Sequence, residues 1–192
     1  NRSIPIQLRE KLASHYNEAK WIKIREEELT PYLSTLDEVA RKRILFTLRM
    51  QKSTEIALKI MGKKLKPENA LKEAKNVAEL TDFLSARKSS DSDSRLRVLG
   101  ILGQVMNYQH FLLRELYDVS LPQLEEIKDA MLGAGASGVK ISGAGLGGSL
   151  IGLVKSDEAG HKALNAALNA GAKQGWVSRV SAGARIENTG NS

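Results

Sequence analysis

Between residues 137 and 154 the chain reads Ser-Gly-Val-Lys-Ile-Ser-Gly-Ala-Gly-Leu-Gly-Gly-Ser-Leu-Ile-Gly-Leu-Val, with four glycines in the six positions 143–148. The short apolar runs on either side predict two β-strands, 136–142 and 149–155, and the glycine stretch predicts the loop that joins them. Glycine reaches backbone conformations closed to other residues and lets a ligand approach the main chain, so this density also suits a loop that wraps an anion, a phosphate first of all. Gly143, Gly145 and Gly148 satisfy G-x-G-x-x-G, but the dinucleotide fingerprint needs a helix opening at the loop, and the apolar run 149–154 is too short for one. The pattern G-x-x-x-x-G-K-[ST] is absent, because the loop holds no lysine and Ser149 and Leu150 follow it. A tight strand connection with no ligand is the alternative reading.

Upstream of the loop the apolar spacing predicts helices. Leu8, Leu12, His15, Tyr16 and Ala19 place the first at about 6–28, and Pro31 opposes continuation past Thr30. The second begins after Ser34 or Thr35 with Asp37 and Glu38 in its first turn, carries Ile44, Leu45, Leu48, Ile56 and Ile60 as one stripe, and runs to Met61 before Gly62. Pro67 suits the first turn of a third, extending to about Arg87, and the serine-rich segment 88–94 predicts an exposed loop. The helix 95–116 carries Leu99, Leu102, Val105, Met106 and Leu113. Ser120 and Pro122 are the start signals of the next, which ends near 133–135. After the glycine loop, Ser156, Asp157 and Glu158 cap an alanine-rich helix to about Ala172. Residues 176–181 read as a last strand, and Arg185, Ile186 and Glu187 as a further candidate for pairing. The order helix, strand, strand, helix, strand predicts an α+β domain with an antiparallel sheet and helices on one face.

The stretch 138–149, Gly-Val-Lys-Ile-Ser-Gly-Ala-Gly-Leu-Gly-Gly-Ser, resembles the third conserved motif of the GHMP small-molecule kinases, which include galactokinases, homoserine kinases, mevalonate kinases and phosphomevalonate kinases. Residues 102–110, Leu-Gly-Gln-Val-Met-Asn-Tyr-Gln-His, and 113–124, Leu-Arg-Glu-Leu-Tyr-Asp-Val-Ser-Leu-Pro-Gln-Leu, are similar to the helix leading into that motif in galactokinases and, less closely, mevalonate kinases. The closing Ala182-Gly183-Ala184-Arg185-Ile186 also fits, so the likeness covers about 95–187, with a weaker helical likeness at 41–60. The loop itself, Gly143-Ala144-Gly145-Leu146-Gly147-Gly148-Ser149, is closer to mevalonate kinases than to the Gly-Gly-Gly-Phe-Gly-Gly-Cys form usual in galactokinases.

The resemblance implies a ferredoxin-like α+β domain, the usual second half of these kinases, preceded here by additional N-terminal helices within a single domain, 1–192. Residues 62–94 read as an insertion of unassigned function. Family members carry a second motif, a Pro-x-x-x-Gly-Leu-(Ser/Gly/Ala)-Ser-Ser loop that binds the ATP triphosphate, and many have an upstream catalytic aspartate. Neither has a counterpart in these residues, and the chain opens at Asn1 without a methionine. The expectation is therefore the C-terminal half of an ATP- and Mg²⁺-dependent kinase, inactive alone and binding no cofactor by itself, whose partner is an N-terminal catalytic domain. The implied substrate is a sugar or other small alcohol, with mevalonate second. No catalytic residue is expected in this half. The residues expected to bind nucleotide or substrate are Ser142, Gly143, Ala144, Gly145, Leu146, Gly147, Gly148 and Ser149. A non-catalytic α+β ligand-binding or assembly module is the alternative from another class.

Composition sets the limits. With 192 residues, 42 % of them apolar, the chain can build one well-buried core. It has no cysteine, so neither disulfides nor thiolate metal sites are possible, and a reducing cytoplasm is the natural compartment. No run approaches the length of a membrane span, and Asn1-Arg2-Ser3 is no signal peptide. The net charge of +7 arises from basic residues interleaved with acidic ones, as in Arg9-Glu10-Lys11 and Lys72-Glu73-Ala74-Lys75, which predicts solvated helix faces rather than a nucleic-acid surface. His15, His110 and His161 lack ligand spacing, so no metal site is expected. Asn107 and His110 lie at helical spacing and are expected to pack or cap, Lys140 to face solvent or a further domain, and Ser142 and Ser149 to bond either a ligand or the strand ends.

Overall fold

The structure, a computed structural model, describes residues 21–86 and 93–181. Seven helices and a two-stranded antiparallel sheet make a helix-rich α+β fold among them. The expected helix at 6–28 falls mostly outside the described residues. Its described end is a 3₁₀ turn, Trp21–Lys23, followed by a separate helix α1, Glu26–Leu33. Pro31 lies inside α1 rather than ending it. Proline removes only the bond to the carbonyl four residues earlier, here that of the exposed Glu27, while Leu29 and Leu33 bury the opposite face against Ile44 and Leu48. Burying leucine and isoleucine side chains stabilises by about 1.5–3 kcal/mol each, enough to offset one lost surface hydrogen bond.

Helix α2, Glu38–Met61, begins where Asp37 accepts the amide of Ala40 at 2.9 Å and ends at Gly62. The left-handed residue that closes it is Lys63, with φ 56°, whose amide bonds Ile60 O at 3.1 Å while that of Lys64 bonds Lys59 O at 2.8 Å. The continuous third helix expected to about Arg87 is broken. A 3₁₀ turn, Pro67–Asn69, leads to α3, Ala70–Glu73, and a left-handed Glu79 precedes α4, Leu80–Ser85. The break lets Ala70, Ala74, Val77, Leu80 and Leu84 all enter one core with Ile56 and Ile60. It also frees the Ala78 carbonyl to accept the Tyr108 hydroxyl at 2.9 Å, a partner that a fully buried phenol needs. Arg49 clamps the arrangement, bonding Glu26 at 2.7 Å and Glu79 at 2.9 Å.

Helix α5, Ser94–Glu115, opens on Asp93, whose carboxylate accepts the Arg95 amide at 2.7 Å. The expected loop at 88–94 lies largely outside the described residues. Helix α6, Pro122–Gly133, starts with Pro122 in its first turn, but its N-cap is Leu121. Ser120, expected as the cap, instead donates its hydroxyl to the Glu125 carboxylate at 2.5 Å. Strand β1, Gly138–Ser142, pairs with β2, Ser149–Leu153, in the register Val139 to Gly152 and Ile141 to Leu150. Val139 and Leu150 pack with Met131 and Leu132 of α6 and with Ala163 of α7, Asp157–Asn169. Ser156 caps α7 as expected, accepting the Ala159 amide at 3.2 Å.

The last expected strand, 176–181, has no regular structure. It lies against α7 instead: Val177 packs at Gly160 and Arg179 pairs with Asp157. The candidate pairing at 185–187 falls outside the described residues. No helix among the described residues is long and apolar enough to cross a membrane.

Candidate functional site

The glycine loop is held at the end of the hairpin by the helix that runs beside β1. Three positions on one face of α5 meet that strand in order. A side chain on Gly103 would put its Cβ 2.2 Å from Ser137 O, and one on Gly138 would put its Cβ 2.1 Å from Gly103 O, so helix and strand touch backbone to backbone. One turn on, Asn107 Oδ1 accepts the Val139 amide at 2.9 Å, and His110 Nδ1 accepts the Ile141 amide at 3.3 Å. Gly103 to Gly138, Asn107 to Val139 and His110 to Ile141 run the same way, so α5 and β1 are parallel. Both polar side chains do the work of a neighbouring strand, which is the packing role expected of them.

His110 is almost fully buried, and its Nε2 lies 2.6 Å from Glu125. Because Nδ1 accepts from Ile141, Nε2 carries the proton and donates it to the carboxylate, so the ring is neutral. Burial lowers the His110 pKa in the same sense, opposed by the nearby Glu125. Glu125 also accepts from Ser120, from Lys128 at 2.5 Å and from Arg114 at 3.1 Å. Burial raises its carboxyl pKa, but the bonds from Lys128, Ser120 and His110 outweigh burial and bring it down to about 2. The chain of bonds from Ile141 through His110 to Glu125 locks β1, α5 and α6 together.

Lys140 does not extend into solvent. It is half-buried, donates to Gln109 Oε1 at 2.9 Å, and burial lowers its pKa. Gln109 in turn donates to Ser53 at 3.3 Å and Thr54 at 3.1 Å, which joins the strand to α2.

Within the loop, Gly143, Gly145, Leu146, Gly147 and Gly148 all have positive φ, from 56° at Leu146 to 127° at Gly147. The loop residues divide by surroundings. At Gly145 an added Cβ would lie 2.4 Å from the Val119 Cβ, and the next amide, Leu146 N–H, bonds Val119 O at 2.8 Å. Gly143 and Gly147 face open space, where an added Cβ would meet nothing within 4 Å. Ala144 and Gly148 are exposed, and Leu146, 64 % exposed, holds an apolar side chain at the tip in left-handed backbone. Ser142 and Ser149 face each other at the neck, and the Ser149 hydroxyl donates to Ser142 O at 3.0 Å, which is strand-end bonding. The sequence reading missed Val119 and Glu125. A buried-looking Val between Asp118 and Ser120 gave no signal, and Glu125 looked like an ordinary first-turn acid.

Residues 93–173 match the family described as GHMP kinases C terminal. This stretch is similar to the C-terminal domain of GHMP kinases. The matched stretch begins at the cap of α5 and takes in α6, the β1–β2 hairpin and α7 whole. Helices α1 to α4 precede it, and α2, α3 and α4 supply the opposite wall of the core on which α5 rests, while α1 packs on α2 in a separate cluster. The glycine loop, the Gly103–Gly138 contact and the Glu125 network all lie inside the matched stretch.

Proposed function

We propose that this chain is the C-terminal half of an ATP-dependent small-molecule kinase, its loop 143–148 lining the cleft where phosphoryl transfer takes place. The observation that carries the reading is the loop inside the stretch similar to GHMP kinase C-terminal domains. Its residues reverse the backbone repeatedly, and Gly143 and Gly147 leave open space in front of the main chain. Such a glycine-rich backbone fits an anionic phosphate, since at Gly143 and Gly147 no side chain keeps a ligand from the main chain. Bound ATP with Mg²⁺ would supply the transferable phosphoryl group. Gly143, Ala144, Gly147 and Gly148 would hold or border the phosphates, Gly145 would anchor the loop on Val119, and the Ser142 and Ser149 neck would fix its span.

Phosphoryl transfer depends mainly on positioning and on stabilising charge, so a loop without a titrating group contributes through its fixed shape. The exposed Leu146 suits contact with the N-terminal domain, which would bring the triphosphate loop and the base. On this reading the 192-residue chain has no turnover alone. The α5 sequence favours a galactokinase-like sugar acceptor, whereas Gly143-Ala144-Gly145-Leu146 favours mevalonate as a second candidate.

The test is a phosphoryl-transfer assay with ATP and Mg²⁺ on the longer protein that includes the upstream coding region, against galactose, mevalonate and other small alcohols, with this chain run in parallel. Turnover by the longer protein alone is the expected result and names the substrate. Inactivity across the panel would move the reading to a binding or assembly module.

A further inference from the structure

The glycine loop is tied to the rest of the domain through one residue of the α5–α6 connection. Val119 accepts the Leu146 amide on its carbonyl at 2.8 Å, and its side chain fills the space in front of Gly145. Val119 is therefore the seat of the loop, and what fixes Val119 fixes the loop.

Three contacts do so. The Val119 amide bonds Leu113 O at 3.2 Å at the end of α5. On its N-terminal side, Asp118 is left-handed, with φ 59°, and the Tyr117 ring packs on Phe46 at 4.5 Å and under Arg43 at 4.0 Å. On its C-terminal side, the Ser120 hydroxyl donates to Glu125 at 2.5 Å. Helix α6 takes no side-chain cap from Leu121, and the Ser120–Glu125 bond, which satisfies no backbone N–H, pins the connection to the first turn of α6. Glu125 is itself held by His110 and Arg114 from α5 and by Lys128 from α6.

We infer that Glu125 is the positioning residue of the glycine-rich loop, acting through the Ser120 hydroxyl and the Val119 seat to set where the loop stands relative to the hairpin. Its importance for catalysis rests on the kinase reading above; its control of loop position does not.

A role limited to stapling α6 onto α5 predicts something different. Losing a staple lowers global stability and speeds amide exchange throughout the domain, whereas losing the seat speeds exchange at the loop in particular. Ser120→Ala separates the two, since it cuts the link to Val119 and leaves the ion pairs of Glu125 with Arg114 and Lys128 in place.

The measurement is amide hydrogen exchange by NMR on the 192-residue chain, comparing Leu146 with the α2 amides of Leu48 and Ile56 in the same sample. In Ser120→Ala, Leu146 is expected to exchange roughly fivefold or more faster relative to α2, the equivalent of one weakened hydrogen bond. Ser120→Thr, which keeps the hydroxyl, restores the ratio. Glu125→Ala gives the same loop effect together with a lower melting temperature. Should that variant fail to fold, Ser120→Ala and Ser120→Thr decide the matter. A Leu146 ratio unchanged in Ser120→Ala overturns the inference. If the exchange result holds while the longer protein shows no turnover on any alcohol, the kinase reading fails and the loop seat stands.

Discussion

Replacing Gly103 by alanine tests whether the backbone contact between α5 and β1 organises the domain. The added Cβ would lie 2.2 Å from Ser137 O and 2.5 Å from Ser137 C, both main-chain atoms that cannot rotate away. Reaching an ordinary contact of more than 3 Å requires the helix and strand to separate by about 1 Å. That separation reaches the two bonds further along the same face, Asn107 to the Val139 amide at 2.9 Å and His110 to the Ile141 amide at 3.3 Å. Stretched by such an amount, neither remains a hydrogen bond, and each buried amide left without a partner costs about 1–3 kcal/mol. Alanine in a helix interior returns about 1 kcal/mol over glycine. The net expectation is a loss of about 1–5 kcal/mol. The assay is urea unfolding followed by circular dichroism, reading a lower midpoint at unchanged slope. The double variant with Asn107→Ala should lose less than the sum of the singles, because the same bond is removed twice. A loss below about 0.5 kcal/mol, or a gain, would show that the contact yields without cost and would refute the reasoning.

Gly133 is the matching control: at the end of α6 an added Cβ meets nothing within 4 Å, so Gly133→Ala should raise stability by about 0.5–1 kcal/mol in the same urea experiment. Acid should act in two stages. His110 is held neutral with its pKa lowered from 6.5, so its contribution is full above pH 6.5 and is lost as pH falls through its lower folded value. Glu125 is lowered from 4.5 to about 2, so its contribution is full above pH 4.5 and is lost between there and about pH 2. Allowing for solvent screening at a partly exposed site, the Glu125 share is about 1–2 kcal/mol, and Glu125→Gln should flatten the stability curve between pH 4.5 and 2. Gly147→Val forces a β-branched residue into φ 127° with open space around it. On the kinase reading it should reduce turnover of the longer protein at least tenfold, the backbone strain of about 1–3 kcal/mol should lower the melting temperature as well, and unchanged turnover would remove the loop from the mechanism.

Local chemistry made much of this fold legible. Ser156 is a side-chain cap where its helix is expected to begin, Pro122 opens α6, and the glycine hairpin falls between the strands expected of it, whereas Asp37, expected inside the first turn of a helix starting after Ser34 or Thr35, is itself the cap of α2. What stayed hidden was decided by atoms distant in sequence. The third helix breaks where the Ala78 carbonyl serves Tyr108, 30 residues away. Ser120 has the right chemistry for a cap but is taken by Glu125, and Lys140 reaches Gln109 because α5 lies alongside β1. Residues 176–181 read as a strand, yet the segment lies on α7, where Gly160 leaves room for Val177. For the site, glycine density located the loop, while the division between the seated Gly145 and the open Gly143 and Gly147 needed the position of Val119.

The pairing of two side chains with β1 has a consequence for self-association. A strand at the border of a sheet offers a row of amides on which another chain can template itself, and such borders seed aggregates. On the α5 side that row is already spent, since Asn107 and His110 have taken the Val139 and Ile141 amides. Among the described residues, the far side of β2 has no such cover. Among the described residues the sheet is therefore open to lengthening from one direction, along Ser149–Leu153, and a charge introduced at the exposed Ile151 is where its solubility would be tuned.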